Sequence, residues 1–147
     1  MRVFLDTNIL MDLFVGNQRP NYASSVRILN AAEMIPELVG VVSVQSITDL
    51  SYSLAKYGSE NRRIVFDRIR YLLSFLELVT ISPDNARAAL ANNPEDFEDE
   101  EQLLCAADQE CSWFITGEKR LLDLGERSGV RIISPESFLK LASRPLE

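Results

Sequence analysis

Short apolar runs alternate along the chain with longer amphipathic segments, and this pattern predicts an α/β protein. Apolar runs bounded by polar residues are typical of buried parallel strands. Five such strands are predicted, at residues 2–5, 39–43, 76–81, 113–116 and 130–133. Because strands that alternate with helices favour parallel pairing, we expect a three-layer α/β/α sandwich around a central, mostly parallel five-stranded sheet.

The segments between these runs carry apolar residues at helical spacing. The predicted helices cover residues 9–14, 22–35 and 60–75, a segment after the second strand that ends near Tyr57-Gly58, a segment from Pro83 that stops before Asn92, a segment from the acidic run at residue 95 through Ala107, and a C-terminal helix from Pro135. No repeat or low-complexity linker interrupts them, so residues 1–147 are expected to form a single domain.

The first apolar run ends abruptly in Asp6, which is followed by Thr7 and Asn8. In open α/β sheets ligands bind at the carboxyl ends of the strands, which is where this pattern places Asp6. Aspartate is also a common helix cap. We expect Thr7 or Asn8 to cap the following helix, which would leave the Asp6 carboxylate available for chemistry.

Three further acidic positions could meet Asp6 at the same edge of the sheet. Asp49 lies near the start of the helix after the second strand, and Glu118 follows the fourth strand. Asp96 and Asp99 lie three residues apart on one helical face. We expect Asp99 to point toward the sheet more than Glu100 does, which makes Asp99 the candidate ligand. Each acid taken alone is equally typical of a helix start or an exposed loop.

Three or four carboxylates within ~6 Å of one another raise each other's pKa and cost several kcal/mol unless a cation lies between them. Hard divalent cations that prefer oxygen ligands, such as Mg²⁺ or Mn²⁺, remove that cost. The acidic positions together therefore predict a divalent-metal site in a phosphodiester-cleaving enzyme.

Composition and charge narrow the functional classes. The chain has no histidine, which excludes histidine acid–base catalysis and a Ser-His-Asp triad. No run approaches the ~20 apolar residues of a membrane span. No export signal is expected, because Asp12 interrupts the apolar stretch at the N-terminus. We therefore expect a cytoplasmic protein whose two thiols, Cys105 and Cys111, are buried. The net charge of −7 argues against a simple basic nucleic-acid binder, but not against a nuclease whose acids hold metal.

Four blocks and the tail of the chain resemble the motifs of the PIN-domain ribonucleases, the family that includes VapC-type toxins. The blocks are Leu5-Asp6-Thr7-Asn8, Ser43 through Asp49-Leu50, Asp96 through Asp99 with Gln102 and Ala106-Ala107, and Trp113 through Glu118, and the tail is residues 133–139. The resemblance extends over nearly the whole chain, and the first and third blocks are the most specific.

The resemblance implies a Mg²⁺- or Mn²⁺-dependent endoribonuclease, and possible membership of a toxin–antitoxin pair. Its metal ligands and catalytic residues would be Asp6, Asp49, Asp99 and Glu118. Its orienting residues would be Thr7, Asn8, Ser46, Asp96 and Thr116. Contacts to an RNA substrate would come from Arg62, Arg63, Lys119 and Arg120. An antitoxin protein and a homodimer are implied as partners, and no membrane association is expected.

Two positions depart from the family pattern and keep an alternative open. Asp49 stands where glutamate is usual, and Glu118 stands where aspartate or asparagine is usual. Each change alters the reach of the carboxylate by about one bond. The alternative is a catalytically weak or inactive PIN-like module that binds RNA or a protein. A phosphatase of the haloacid-dehalogenase type is disfavoured, because that class needs an acid where this chain has Asn8.

Overall fold

The computed structural model describes residues 1–57 and 61–143. In chain order the elements are β1 (Arg2–Leu5), α1 (Thr7–Val15), α2 (Tyr22–Met34), β2 (Val39–Ser43), α3 (Val44–Tyr57), α4 (Arg62–Leu73), β3 (Glu77–Val79), α5 (Pro83–Asn92), a 3₁₀ turn (Pro94–Asp96), α6 (Phe97–Asp108), β4 (Trp113–Ile115), α7 (Lys119–Leu124), β5 (Glu126–Arg127), β6 (Val130–Ile133) and α8 (Pro135–Ala142). The predicted boundaries at Gly58 and Glu60 lie outside the described residues.

One sheet runs through the molecule in the order β3-β2-β1-β4-β6-β5. Neighbouring strands are parallel except β5 and β6. Strand β1 lies between β2 and β4, and Phe4 is opposite both Val41 and Phe114. The strand order therefore reverses beside β1, which is where open α/β sheets form a crevice for ligands.

The predicted fold class is confirmed, and the predicted number of strands is wrong. The sixth strand is the two-residue β5, which pairs with β6 in an antiparallel hairpin around Gly129. Such a short strand has no apolar alternation of its own and cannot be found from periodicity. The predicted third strand, residues 76–81, is shorter in the structure, at Glu77–Val79. Helix α7 was not predicted.

The two faces of the sheet carry separate apolar clusters. Val3 and Leu5 belong to the cluster under helices α1 to α4 and α8, whereas Phe4 belongs to the cluster under α6 and α7. This division follows from the alternation of side chains along a strand. Among the described residues, no helix has the length and apolar character needed to cross a membrane.

The predicted burial of both cysteines is confirmed. Cys105 on α6 and Cys111 before β4 are buried and unpaired, and both belong to the cluster around Phe4 and Phe114. Burial raises the pKa of each thiol to about 11, so both are neutral at ordinary pH.

An acidic candidate active site

Asp6 is fixed at the carboxyl end of β1. Its backbone N–H donates to the Ile115 carbonyl at 3.0 Å, and its carboxylate accepts a hydrogen bond from the Thr7 N–H at 2.8 Å. Asp6 is thus the residue that caps α1, and the expectation that Thr7 or Asn8 does so is wrong. Helix α1 begins at Thr7, so Asp6 is the last extended residue before its first turn.

The second Asp6 oxygen accepts two side-chain hydrogen bonds. The Thr116 hydroxyl donates at 2.8 Å and the Asn8 amide donates at 3.0 Å. The Asn8 carbonyl oxygen in turn accepts from the Gly117 N–H at 2.9 Å. Asn8 and Thr116 therefore hold Asp6 and the turn after β4 in one network, and their orienting role stays a prediction.

The pKa of Asp6 is raised to about 6. Burial is the main cause, and the negative charge of Asp99 adds to it. The hydrogen bonds from Thr116, Thr7 and Asn8 act in the opposite direction, because they stabilise the ionised form. Burial and a neighbouring acid both destabilise the ionised form of Asp6, and a bound cation would stabilise it.

A second network lies behind Asp6 and centres on Ser46. The Ser46 hydroxyl is fully buried and accepts from the Thr7 hydroxyl at 2.8 Å and from the Gln102 amide at 2.6 Å. Its backbone N–H donates to the Ser43 hydroxyl at 3.0 Å. Ser46 therefore orients Thr7 and Gln102 from beneath the site.

Gln102, which the sequence placed in the third block without a role of its own, also lines the site. It is buried, and its amide oxygen has no hydrogen-bond partner among the described residues. Such an atom is costly unless a ligand or water satisfies it. In the sequence, the feature that indicates its place at the site is its position one helical turn after Asp99.

The four predicted ligand acids line one pocket of about 350 Å³. The pocket is lined by Asp6, Thr7, Asn8, Met11, Arg19, Asp49, Glu98, Asp99, Gln102 and Glu118. Asp49 comes from α3 after β2, and Glu118 follows β4. Helix α6 leads back into the parallel sheet at β4, so its first turn places Asp99 at the same edge. The topology thus places all four acids around one pocket.

The first turn of α6 differs from expectation in its detail. Glu100, not Asp99, is the more buried of the two, and its carboxylate pairs with the Arg127 guanidinium at 2.8 Å. The predicted order was wrong because the strand β5, which supplies Arg127, was not foreseen. Asp99 instead faces the pocket with about a quarter of its side chain exposed.

Arg120 holds the two aspartates of the third block. Its guanidinium lies 2.6 Å from an oxygen of Asp96 and 2.6 Å from an oxygen of Asp99. Arg120 had been expected to contact RNA, and in this arrangement it neutralises acids instead. Asp96 lies outside the pocket that Asp6 lines, beside this arginine.

The pocket residues carry the types of oxygen donor that a divalent metal binds. Carboxylates and an unpartnered amide oxygen are the donors that Mg²⁺ and Mn²⁺ take. Within residues 1–57 and 61–143, however, no three possible ligand side chains lie close enough together to hold an ion. Asp99 is engaged by Arg120, and Asp49 accepts from the Gln45 amide at 3.1 Å.

The predicted RNA-contacting cations are exposed and do not line the pocket in the described part of the chain. Arg62 and Arg63 start α4, and the Arg62 guanidinium lies 5.3 Å from the centre of the Phe66 ring. Lys119 starts α7 directly after Glu118, at the rim. Arg19, which the sequence analysis did not single out, is the arginine among the lining residues.

Comparison with known proteins decides the family. A PIN-domain family model matches residues 2–120. The chain belongs to the PIN-domain family. Its PIN fold is also found in a toxin–antitoxin complex from Klebsiella pneumoniae, with a TM-score of 0.62 and 22% identity over 90% of this chain and 97% of that one.

Two further PIN-like structures are similar. VapC20 of Mycobacterium tuberculosis, a sarcin-ricin loop cleaving toxin, gives a TM-score of 0.64 and 18% identity over 88% of this chain and 98% of that one. VapBC2 from Rickettsia felis, bound to a DNA fragment from its promoter, gives a TM-score of 0.61 and 15% identity over 91% of this chain and 98% of that one. No curated protein compared with the chain is similar to it at a significant level. The resemblance to the PIN-domain family is confirmed.

Proposed function

We propose that this PIN-domain protein is a Mg²⁺- or Mn²⁺-dependent endoribonuclease and the toxin of a toxin–antitoxin pair. The observation that carries the proposal is the single pocket that Asp6, Asp49, Asp99 and Glu118 share at the reversal point of the sheet. The neighbours support it, since one cleaves the sarcin-ricin loop and another lies in a toxin–antitoxin complex.

Asp6 and Asp99 would hold the metal, with Asp49 and Glu118 as further ligands. When bound, such an ion lowers the pKa of a coordinated water and polarises the scissile phosphate. Hydroxide attack in line with the leaving oxygen would give a 5′-phosphate and a 3′-hydroxyl. Asp99 would exchange its Arg120 partner for the ion.

The protein's own residues supply rigidity. Thr116 and Asn8 fix one oxygen of Asp6 and the Thr7 N–H fixes the other. A carboxylate held from three directions presents its remaining lone pairs without rearrangement, which favours a defined coordination geometry. Gln102 lines the same pocket, and its buried amide oxygen, which has no partner among the described residues, is a free hydrogen-bond acceptor.

The partners follow from the proposed function. A cognate antitoxin would cover the acidic pocket, and a homodimer would be the assembled form. The cytoplasmic location and the single domain over residues 1–147 stay predictions.

Cleavage of RNA by carboxylate variants tests the proposal. Wild type should cleave a panel of single-stranded and structured RNAs with Mn²⁺ or Mg²⁺ and not with EDTA. Asp6→Asn and Asp99→Asn should each lower the rate by more than ~100-fold, beyond the range for residues that only orient a ligand. Asp84→Asn is the matched control, because Asp84 is an exposed aspartate on α5 that pairs with Arg87 and lies outside the pocket. Equal rates for all four proteins would contradict the proposal.

The alternative function is a PIN-like module that binds RNA or a protein without cleaving it. Two observations favour it. Arg120 pairs with Asp96 and Asp99, and among the described residues no three possible ligand side chains lie close enough together to hold an ion. Binding of the RNA panel in EDTA distinguishes the two. A binding module should bind equally well with and without metal, and Asp6→Asn should leave its affinity unchanged.

A further inference from the structure

Arg19 brings a positive charge into a pocket that is otherwise lined by acids. It lies in the loop between α1 and α2, and its side chain is about one-third exposed. The other charged residues that line the pocket are all carboxylates, namely Asp6, Asp49, Glu98, Asp99 and Glu118. A cation in this position faces whatever the carboxylates bind.

A buried aspartate anchors the Arg19 guanidinium from behind. Asp12 is 3% exposed, and one of its carboxylate oxygens accepts from Arg19 Nε at 2.8 Å. Its other oxygen accepts from the Ser25 hydroxyl at 2.6 Å, and Ser25 is fully buried. Asp12 therefore has a fixed position between α1 and α2, and it fixes the arginine in turn.

The backbone of the loop is also held. The Gly16 N–H donates to the Asp12 carbonyl at 3.0 Å, and the Arg19 N–H donates to the Gly16 carbonyl at 3.1 Å. Gly16 has a φ of 101°, a left-handed conformation that favours glycine. The Tyr22 N–H then donates to the Arg19 carbonyl at 3.2 Å, at the start of α2. Arg19 is thus presented by an ordered loop and not by a loose one.

Only one edge of the guanidinium is used by this anchor. In the described part of the chain, Asp12 is the hydrogen-bond partner found for Arg19, and it takes Nε alone. The two terminal nitrogens keep their donors for an external acceptor. A planar guanidinium with a pre-oriented pair of donors suits the oxygens of a phosphate.

We infer that Arg19 is a substrate-binding residue that contacts a backbone phosphate of the nucleic acid at the acidic pocket. This inference rests on the proposed function, because it identifies the phosphodiester substrate as the group that Arg19 meets. The anchored arginine would supply the attraction that the pocket's acids lack. It would also fix the position of the strand relative to Asp6.

RNA binding by three variants tests the inference. Asp12→Asn removes the charge of the anchor but keeps an amide oxygen that can accept from Arg19 Nε, so Arg19 keeps its position. The double variant Asp12→Asn/Arg19→Gln removes both charges, so that no buried charge is left unpaired and the fold is preserved. Arg87→Gln is the control, since Arg87 is an exposed arginine paired with Asp84 on α5. Affinity for a fluorescein-labelled single-stranded RNA is measured by anisotropy in Ca²⁺ between about 50 and 200 mM salt.

The double variant should bind about tenfold more weakly than Asp12→Asn. Its slope of log affinity against log salt should be smaller in magnitude by about 0.7, the value for one lost phosphate contact on a single strand. Arg87→Gln should bind like wild type. A merely structural Arg19 would change thermal stability but would give Asp12→Asn and the double variant the same salt slope, and that result overturns the inference.

The outcomes separate this inference from the proposed function. If wild type cleaves RNA with Mn²⁺ while the two Asp12 variants bind alike, the Arg19 inference fails and the nuclease stands. If wild type does not cleave, the nuclease proposal fails, and the binding comparison still decides about Arg19. A wild-type protein that binds no RNA in this assay overturns the inference.

Discussion

At the scale of single residues, Asp6 combines two roles that the sequence analysis had assigned to different positions. It caps α1 through the Thr7 N–H and it lines the acidic pocket. One carboxylate oxygen accepts the cap hydrogen bond, and the other faces Thr116 and Asn8. A substitution at Asp6 therefore alters both stability and chemistry, and the two effects must be measured separately.

The raised pKa of Asp6 predicts a pH-dependent contribution to stability in the metal-free protein. The folded value of about 6 lies above the ordinary value of 3.8, so the folded state binds this proton more tightly than the unfolded chain. The stabilising contribution is complete below pH ~4 and is lost as the pH rises through ~6. The free energy of unfolding of wild type relative to Asp6→Asn should fall by about 2–3 kcal/mol across that range.

Denaturant unfolding of both proteins in EDTA at several pH values checks this expectation. The Asp84→Asn variant should show no such trend relative to wild type. A constant difference between wild type and Asp6→Asn over this pH range would mean that Asp6 keeps an ordinary pKa.

The sequence could reveal Asp6 and Asp99, and it placed Gln102 in a family block, but it could reveal neither Arg19 nor the buried, unpartnered amide oxygen of Gln102. Acids that end an apolar run or begin a helix have a recognisable context. Arg19 lies in a loop, where no periodicity predicts which way a side chain points. Its anchor, Asp12, was visible as an acid within an apolar helix, but its partners Arg19 and Ser25 are tertiary contacts. Such contacts depend on how α1 and α2 pack.

At the scale of elements, the short α7 pairs with an acid of α6 and with an acid of the 3₁₀ turn that precedes it. This helix carries Arg120, which pairs with Asp96 and Asp99 across the gap between the two helices. Helix α7 was not predictable, because its six residues, Lys119–Leu124, are too few to show helical periodicity. Without α7, the pairing of Arg120 with the acids could not be foreseen.

Removal of Arg120 should strengthen metal binding. Arg120→Gln eliminates the cation that competes for Asp99, so the affinity for Mn²⁺ should rise by about two- to tenfold, a modest gain because the pair is partly exposed. Isothermal titration calorimetry with Mn²⁺ measures it. Arg87→Gln should leave the affinity unchanged. An unchanged or lower affinity for Arg120→Gln would show that Asp99 does not bind the ion.

At the scale of the whole molecule, the parallel pairing of the sheet was predictable, but the antiparallel edge strand β5 was not. Strands β1, β2, β4 and β6 are short, largely apolar runs in a chain where strands alternate with helices, and that pattern favours parallel pairing. The hairpin of β5 and β6 depends on the turn at Gly129, which has a positive φ, and on two polar residues. Local turn geometry of that kind leaves no apolar signal.

The packing of the last helix predicts one cooperative unfolding transition. Helix α8 packs on α2, and Phe138 lies in the same cluster as Leu5 and Ile9 from the start of the chain. The single tryptophan, Trp113, stands edge-on to Phe138 with ring centres 6.3 Å apart. Tryptophan fluorescence and far-ultraviolet circular dichroism should therefore give the same denaturant midpoint. Two separated midpoints would contradict the single domain.

The two buried thiols have a consequence for the time scale of motion. Cys105 lies on α6, the helix that presents Asp99, and both thiols are neutral beneath it. A thiol reagent can react only when this part of the molecule opens. The labelling rate of the two cysteines therefore measures how readily it opens. A cation bound at Asp99 would lower that labelling rate. Two cysteines outside the pocket would then report on the opening of the helix that carries Asp99.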